Sequence, residues 1–361
     1  MPNAADLAAD EIRAFSVDLE RFSADIRNRA LEFLRKLEEE LIALLRKHDL
    51  GEVTLTSAKQ RRMEKLLEQT QATIATAYAG IRDEVKADLR EVAALSAANA
   101  GGSINSAVGV DIATTALAPE RIRSLVDNTL IMGAPSKAWW SDQAATVMRA
   151  FTDQVTKGYA SGEGVDAIVT RIRGTRARNY ADGVMNISRR NATSLVRTSV
   201  QAISNSARLE TLSANSDILS GTQQISTMDS RTSDVCRAYS GKVWSFDGKP
   251  VGHTLPFNGG PPRHFQCRSV LVAVLKPLDD LPPSKKKKIP EMTQSSMDGQ
   301  IAGDMDYDSW LRTKPRSFQI EVMGQGKWEL WNAGKITQSD LLDQSGNPLT
   351  LEELRRRYGG R

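Results

Sequence analysis

The sequence predicts a mainly helical α+β protein, and three observations carry that prediction. Apolar residues recur at three- and four-residue steps from Ile12 to Val92. A second periodic stretch, rich in Ala, Ser, Thr and Asn, runs from Met185 to Ala214. After Asn215 the pattern turns to short alternating runs, and Ser269–Leu275 is almost continuously apolar.

Ile12, Phe15, Leu19, Phe22 and Ile26 form the first stripe, and Ala30, Phe33, Leu37, Leu41 and Leu44 continue it. The stripe is narrow and of the coiled-coil kind, with Arg, Lys and Glu on the other faces. Gly51 suits a left-handed C-cap at its end. A second helix starts near Ser57, with Leu67, Ile74, Tyr78, Ile81, Val85, Leu89 and Val92 along one side. Together they predict an antiparallel hairpin with arms about 50 Å long. Such a hairpin must rest on something, either the rest of this chain or another subunit.

Ser96–Val110 is small, polar and glycine-bearing and reads as a flexible joint. Pro119 fits a first helical position. Trp139 and Trp140 open a further helix that runs to about Gly158; adjacent rings face two ways, so one is core and the other partly exposed. Val165, Ile168, Val169 and Ile172 mark a short amphipathic helix. The small-residue face of 185–214 allows close packing and places that helix inside a domain. Lys242–Phe246 reads as a strand, Asp247-Gly248 as a tight turn, and Ser269–Leu275 as a strand buried on both faces. Lys276–Gly303, with four prolines and the run Lys285, Lys286, Lys287 and Lys288, reads as a solvated linker; the lysines are also candidate DNA-phosphate contacts. Thr350 and Glu353 make a capping box near the end. The organisation is thus a hairpin over 1–110, helices and then a β-rich unit (216–275) within 111–275, a linker over 276–303, and a small α/β tail over 304–361.

Both cysteines of the chain, Cys236 and Cys267, and two of its three histidines, His253 and His264, fall between Asp229 and Val274. Thiolate and imidazole are the donors zinc prefers, and His264-x-x-Cys267 is short enough for both to reach one ion, with Cys236 returning from across a hairpin. The fourth partner is Asp229, Asp234, His253 or water. Without a metal the same residues read as two buried thiols and a loop histidine. A bound zinc would be structural, tying a Gly/Pro-rich loop to a strand in a unit with little core. A catalytic Cys–His pair lacks a third orienting residue here. A His-Asn-His-type nuclease needs a helix where the segment after Cys267 is strand-like.

In this region Asp229-x-Arg231-Thr232-x-x-x-Cys236, Gly241-Lys-Val-Trp244 and Pro261-Pro262-x-His264-x-x-Cys267-Arg268 together resemble the phage Mu F-like minor head protein (head morphogenesis) family. Arg197-Thr198 and Asn205-x-x-Arg208 fit its helical lead-in. Tyr307-x-x-Trp310-Leu311, Met323-Gly324, Trp331-x-x-Gly334-Lys335 and Leu349–Leu354 resemble the segment that follows, so the likeness covers roughly residues 160–360. It implies a non-enzymatic minor structural protein of a tailed-phage head, made in the host cytoplasm and placed at the portal vertex or head interior. Its partners would be portal, capsid or scaffold proteins, and also DNA. Ser269 stands where the family often has a further Cys, which favours Asp229 or water as the fourth zinc partner. The alternatives are a metal-dependent nucleic-acid enzyme using His264 and Cys267, or a non-specific DNA-binding virion protein.

Composition bounds these readings. With 361 residues, 40% hydrophobic and 25% charged, the chain is long enough for more than one core. A net charge of +4 does not by itself point to nucleic acid, and 6% aromatics argues against base-stacking ladders. Two cysteines exclude a disulfide scaffold. No run of apolar residues spans a bilayer, and the acidic start lacks signal-peptide order, so a reducing cytoplasm is expected. There is no P-loop, no G-x-G-x-x-G and no paired-carboxylate signature.

Overall fold

The computed structural model describes residues 4–48, 57–288 and 307–358. Helix α1 spans Ala4–Lys47 and α2 spans Ser57–Val108. The expected cap at Gly51 and the linker beyond Lys288 lie outside the described residues. No described helix is long and apolar enough to cross a membrane. The chain divides into two compact units. One comprises Glu20–Arg90 and Asp127–Val200; the other comprises Met1–Leu19, Glu91–Val126 and Gln201–Arg361. This division does not follow the sequential one read from composition, because α1, α2 and a later long helix are each longer than one core and contribute to both units.

In the first unit the hairpin helices run antiparallel. Arg29 pairs with Glu84 at 3.4 Å and Asp88 at 2.5 Å, and the His48 ring meets the Gln69 amide at 2.9 Å. Gly80 lies under the Phe33 ring, where an added Cβ would come within 2.9 Å. The buried face is wider than a coiled-coil seam, since Leu34, Ile42 and Leu45 are buried beside Leu37 and Leu41. The rest of the unit supplies the cover. Helix α4 (Ser136–Ala160) sets Trp140 6.4 Å from Tyr78, and α5 (Val165–Arg173) packs Ile168 against Gly158. Glu38, buried on α1, accepts from Arg173 at 3.2 Å and from Arg189 of α6 (Val184–Ala214). The stripe that a docking arm would offer is therefore already covered by its own chain. Trp140 is core and Trp139 half-buried, its indole N–H donating to the Ile131 carbonyl at 2.6 Å.

The second unit is built on a four-stranded antiparallel sheet, in the order β5 (Pro250–Val251), β4 (Val243–Trp244), β3 (Leu219–Ile225), β6 (Val270–Leu275); β1 (Leu130–Ile131) and β2 (Ala134–Pro135) form a separate two-residue pair. β3 and β6 run in register from Gly221↔Val274 to Ile225↔Val270. All six residues of β6 are buried, as its apolar run predicts. Gly221 is required because a Cβ there would sit 2.1 Å from the Trp244 carbonyl oxygen. β6 is an edge strand, and an edge leaves backbone groups unpaired. Here α6 pairs them: Asn205 donates to the Ser269 carbonyl at 3.1 Å and accepts from the Leu271 N–H at 2.9 Å, and Arg208 donates to the Leu271 carbonyl at 2.8 Å. Arg208 is fully buried without a carboxylate partner, and desolvation pulls its pKa down to about 10.

The joint expected at 96–110 is instead the last turns of α2. Its small residues let Ala100, Ile104 and Val108 pack with Leu212, Leu219, Ala273 and Leu275. The two glycines within it differ. At Gly101 an added Cβ would lie 2.6 Å from the Thr114 carbonyl oxygen and 2.6 Å from the Thr115 Cα; at Gly102 it would meet nothing within 4 Å.

The tail carries no named strand among its described residues, so the expected α/β tail is a helical one: α9 (Tyr307–Arg312), α10 (Arg316–Met323), α11 (Gln325–Asn332) and α12 (Leu351–Tyr358), after the short α8 (Pro283–Lys286). Leu342↔Pro348 is an isolated bridge. The capping box forms, with the Thr350 N–H donating to Glu353 at 2.8 Å and the Glu353 N–H to the Thr350 hydroxyl at 3.3 Å. Tyr307, Leu311, Trp328, Trp331, Leu341 and Leu354 make the tail's core.

Gly102→Ala should raise the stability of the protein by about 0.5–1 kcal/mol, because a helix-interior glycine is replaced without a clash. Gly101→Ala should lower it by about 1–3 kcal/mol, because backbone must move. Denaturant unfolding of the pair checks this, and stabilisation by both substitutions would show that residues 114–115 do not lie against α2. Thr350→Ala should cost about 1 kcal/mol in the same assay.

Candidate metal centre

The β sheet and one short helix bring three distant side chains together. Helix α7 (Asp234–Tyr239) follows the polar turn, and Ser233 caps it by accepting from the Cys236 N–H at 3.3 Å. This helix is absent from the sequence reading; its signal was Ser-Asp-Val-Cys, an N-cap serine followed by an acidic first turn. On the other side, the Cys267 N–H donates to the His264 carbonyl at 3.2 Å, and Gln266 takes a left-handed φ of 61°. That single turn directs His264 and Cys267 toward Cys236. β6 begins three residues later, so its anchoring by Asn205 fixes Cys267 as well.

The Cys236 sulfur lies 3.2 Å from His264 Nε2 and 3.5 Å from the Cys267 sulfur, and the three ligand atoms all fall within 4.8 Å of one another. Both thiols are buried and free, and His264 is half-buried. The His264 Nδ1 faces the Phe265 carbonyl at 2.8 Å, which places the ring proton there and leaves the Nε2 lone pair for the cluster. The Cys236 thiol is pulled down to about 6, chiefly by the hydrogen bond from Cys267, and Cys267 is pushed up by that same bond and by burial. Arg263 reinforces the thiolate. Its guanidinium stacks 3.5 Å from the centre of the Tyr239 ring and donates to Gln224 at 2.7 Å, and desolvation lowers its pKa to about 10. Sequence reasoning passed over Arg263; its signal was its place directly before His264.

The residues considered as a fourth ligand are not brought in. Asp229 accepts two bonds from Arg268, at 2.7 and 2.8 Å, and one from Thr232 at 3.1 Å. Asp234 is held by Arg237 and Lys327, while the His253 ring is engaged by the Val243 carbonyl at 2.8 Å and the Leu255 N–H at 3.1 Å. In each case a charged or backbone partner closer in space satisfies the group. Of the lysine run, Lys285 reaches the Ile112 carbonyl and Lys286 pairs with Asp279 at 2.8 Å, while Lys287 and Lys288 are exposed.

Chemically this is a two-thiol, one-imidazole donor set on the rim of a small sheet, able to bind a soft or borderline metal ion. The nuclease arrangement is not present in this region, because Cys267 leads into β6 rather than into a helix.

Fold and site thus define a mainly helical α+β protein whose small sheet carries a Cys–His–Cys cluster beneath an Asn/Arg-bearing helix. Residues 149–272 match the family model described as Phage Mu protein F like protein, so this segment is phage Mu F-like. The match contains α6, the whole cluster and the sheet as far as Val272 within β6, and it ends before the tail. No curated protein and no solved structure matches the chain.

The Asp229–Arg268 pair should contribute about 1–2 kcal/mol at neutral pH, as a partly buried two-bond carboxylate–guanidinium contact. Arg268 holds the Asp229 carboxyl below its ordinary value. A depressed carboxyl pKa stabilises the fold above the unfolded value near 4 and loses that contribution as pH falls through the folded value. In urea unfolding, Asp229→Asn should therefore be less stable than the parent at pH 7, and the difference should begin to shrink near pH 4 and vanish only below the depressed folded value.

Proposed function

We propose that the protein is a minor structural protein of a tailed-phage head that acts in head morphogenesis at the portal vertex or the capsid interior. The observation that carries this reading is the phage Mu F-like match over residues 149–272, which takes in the lead-in helix, the cluster and most of the sheet as one segment. The architecture is consistent with a structural role. The polar and charged groups of the motif hold the fold: Asn205 and Arg208 on an edge strand, Asp229 on Arg268, and Arg237 on Thr232, Asp234 and Gln338. The partners are portal, capsid or scaffold subunits, and exposed Lys287 and Lys288 are available to DNA phosphates. In this reading the protein is not an enzyme.

The reading is tested by quantitative mass spectrometry of purified virions, with co-purification of the full-length protein and the portal protein of the same phage. We expect a few copies per particle and a stable complex with the portal or a capsid protein. Absence from both particle and complex would overturn the assignment. Plasmid cleavage that disappears in His264→Ala would replace it with a nucleic-acid enzyme.

A further inference from the structure

We propose that Cys236, His264 and Cys267 bind one zinc ion through three protein ligands, with the fourth coordination position left to water or a small exchangeable anion. Three features of the cluster lead there.

First, the spacing of the donors fits one ion. A tetrahedral zinc with sulfur at about 2.3 Å and nitrogen at about 2.0–2.1 Å sets its ligand atoms roughly 3.8 Å (S–S) and 3.6 Å (S–N) apart. The sulfurs here are 3.5 Å apart, and Cys236 is 3.2 Å from the imidazole nitrogen, each within a few tenths of an ångström of a tetrahedral edge. The ring is oriented for the task, because its other nitrogen is occupied by the Phe265 carbonyl at 2.8 Å.

Second, no fourth protein donor of the right kind reaches the group. Among the described residues, the cluster of ligand atoms contains these three residues alone. Asp229, Asp234 and His253 are each committed elsewhere, as described above. Ser269 is buried beside the cluster, yet its hydroxyl meets the Ser226 hydroxyl at 2.9 Å, and a neutral hydroxyl is not among zinc's usual protein donors.

Third, the open side is polar and has room. A cavity of about 20 Å³ touches Cys236 and His264 and is bounded by Thr227, Arg231, Thr232 and Arg268. That is enough for one water. Its two arginines belong to the Asp229 cluster, and Arg231 stands largely in solvent. Two thiolates neutralise a divalent ion, and the guanidinium of Arg263 behind them adds positive charge, so the vacant direction favours an anionic ligand over a cationic one. Three protein ligands with one exchangeable position differ from the closed four-ligand arrangement of a purely structural zinc.

The full-length protein, purified with a phosphine reductant so that the thiols stay reduced, is assayed for zinc by elemental analysis. It is then loaded with Co²⁺ and its absorption recorded. The expected result is about one metal per chain, with a thiolate-to-cobalt charge-transfer band and intense tetrahedral ligand-field bands. Sodium azide should then shift the ligand-field bands saturably. Cys267→Ser should lose the charge-transfer intensity. Since that residue is buried and the variant risks misfolding, His264→Ala on the loop provides the second arm; it should stay folded by circular dichroism and bind Co²⁺ about 10–100-fold more weakly. Asp229→Asn should leave the cobalt spectrum unchanged. No retained metal and no charge-transfer band would overturn the site. A cobalt spectrum indifferent to azide would overturn the open position, and a spectrum altered by Asp229→Asn would return the fourth place to that carboxylate.

Discussion

The contact on which the motif region depends is between α6 and the outer edge of β6. An edge strand buried on both faces has nowhere to send its outward N–H and C=O groups, and leaving them unpaired costs on the order of 1–3 kcal/mol each. Asn205 and Arg208 meet three of these groups from one helix turn. The contact holds β6 in place, and with it Cys267, which precedes the strand. The same helix carries Arg189 and Arg197, which pair with Glu38 and Glu20 of α1.

Charge is distributed in the motif region according to burial. Three buried or half-buried arginines there meet different kinds of acceptor: a backbone carbonyl for Arg208, a carboxylate for Arg268, an aromatic ring and an amide for Arg263. The planar, always-charged guanidinium suits such sites better than a lysine would, since its several donors can be satisfied at once. The hydrogen bond from Cys267 is the main local cause of the lowered Cys236 pKa, and the field of Arg263 adds to it.

Much of this was legible in the sequence. The two hairpin helices, the helix from Met185 to Ala214, the buried strand after Ser269 and the capping box at Thr350 all follow from local periodicity or end signals, which tertiary context did not override. The approach of Cys236, His264 and Cys267 was legible from residue type and spacing. What was not legible depended on contacts far apart in the chain. The glycines at 101 and 102 looked like a joint, yet one of them is there so that residues 114–115 can lie against the helix. The tail was expected to be α/β, whereas its aromatic residues pack from short helices around one centre. Asp229 looked like a ligand because nothing in its local sequence announces that Arg268 will take both of its oxygens.

The tail returns to the motif region on the far side of a stretch that begins after Lys288. Tyr307 donates to the Asp229 carbonyl at 2.7 Å, Gln338 meets Arg237 at 3.3 Å, Lys327 pairs with Asp234, and Gly346 rests on the Tyr239 hydroxyl. These groups surround α7, the element that delivers Cys236. The last fifty residues thus act as a bracket on α7, gripping it through side chains that lie far along the chain from the helix they hold.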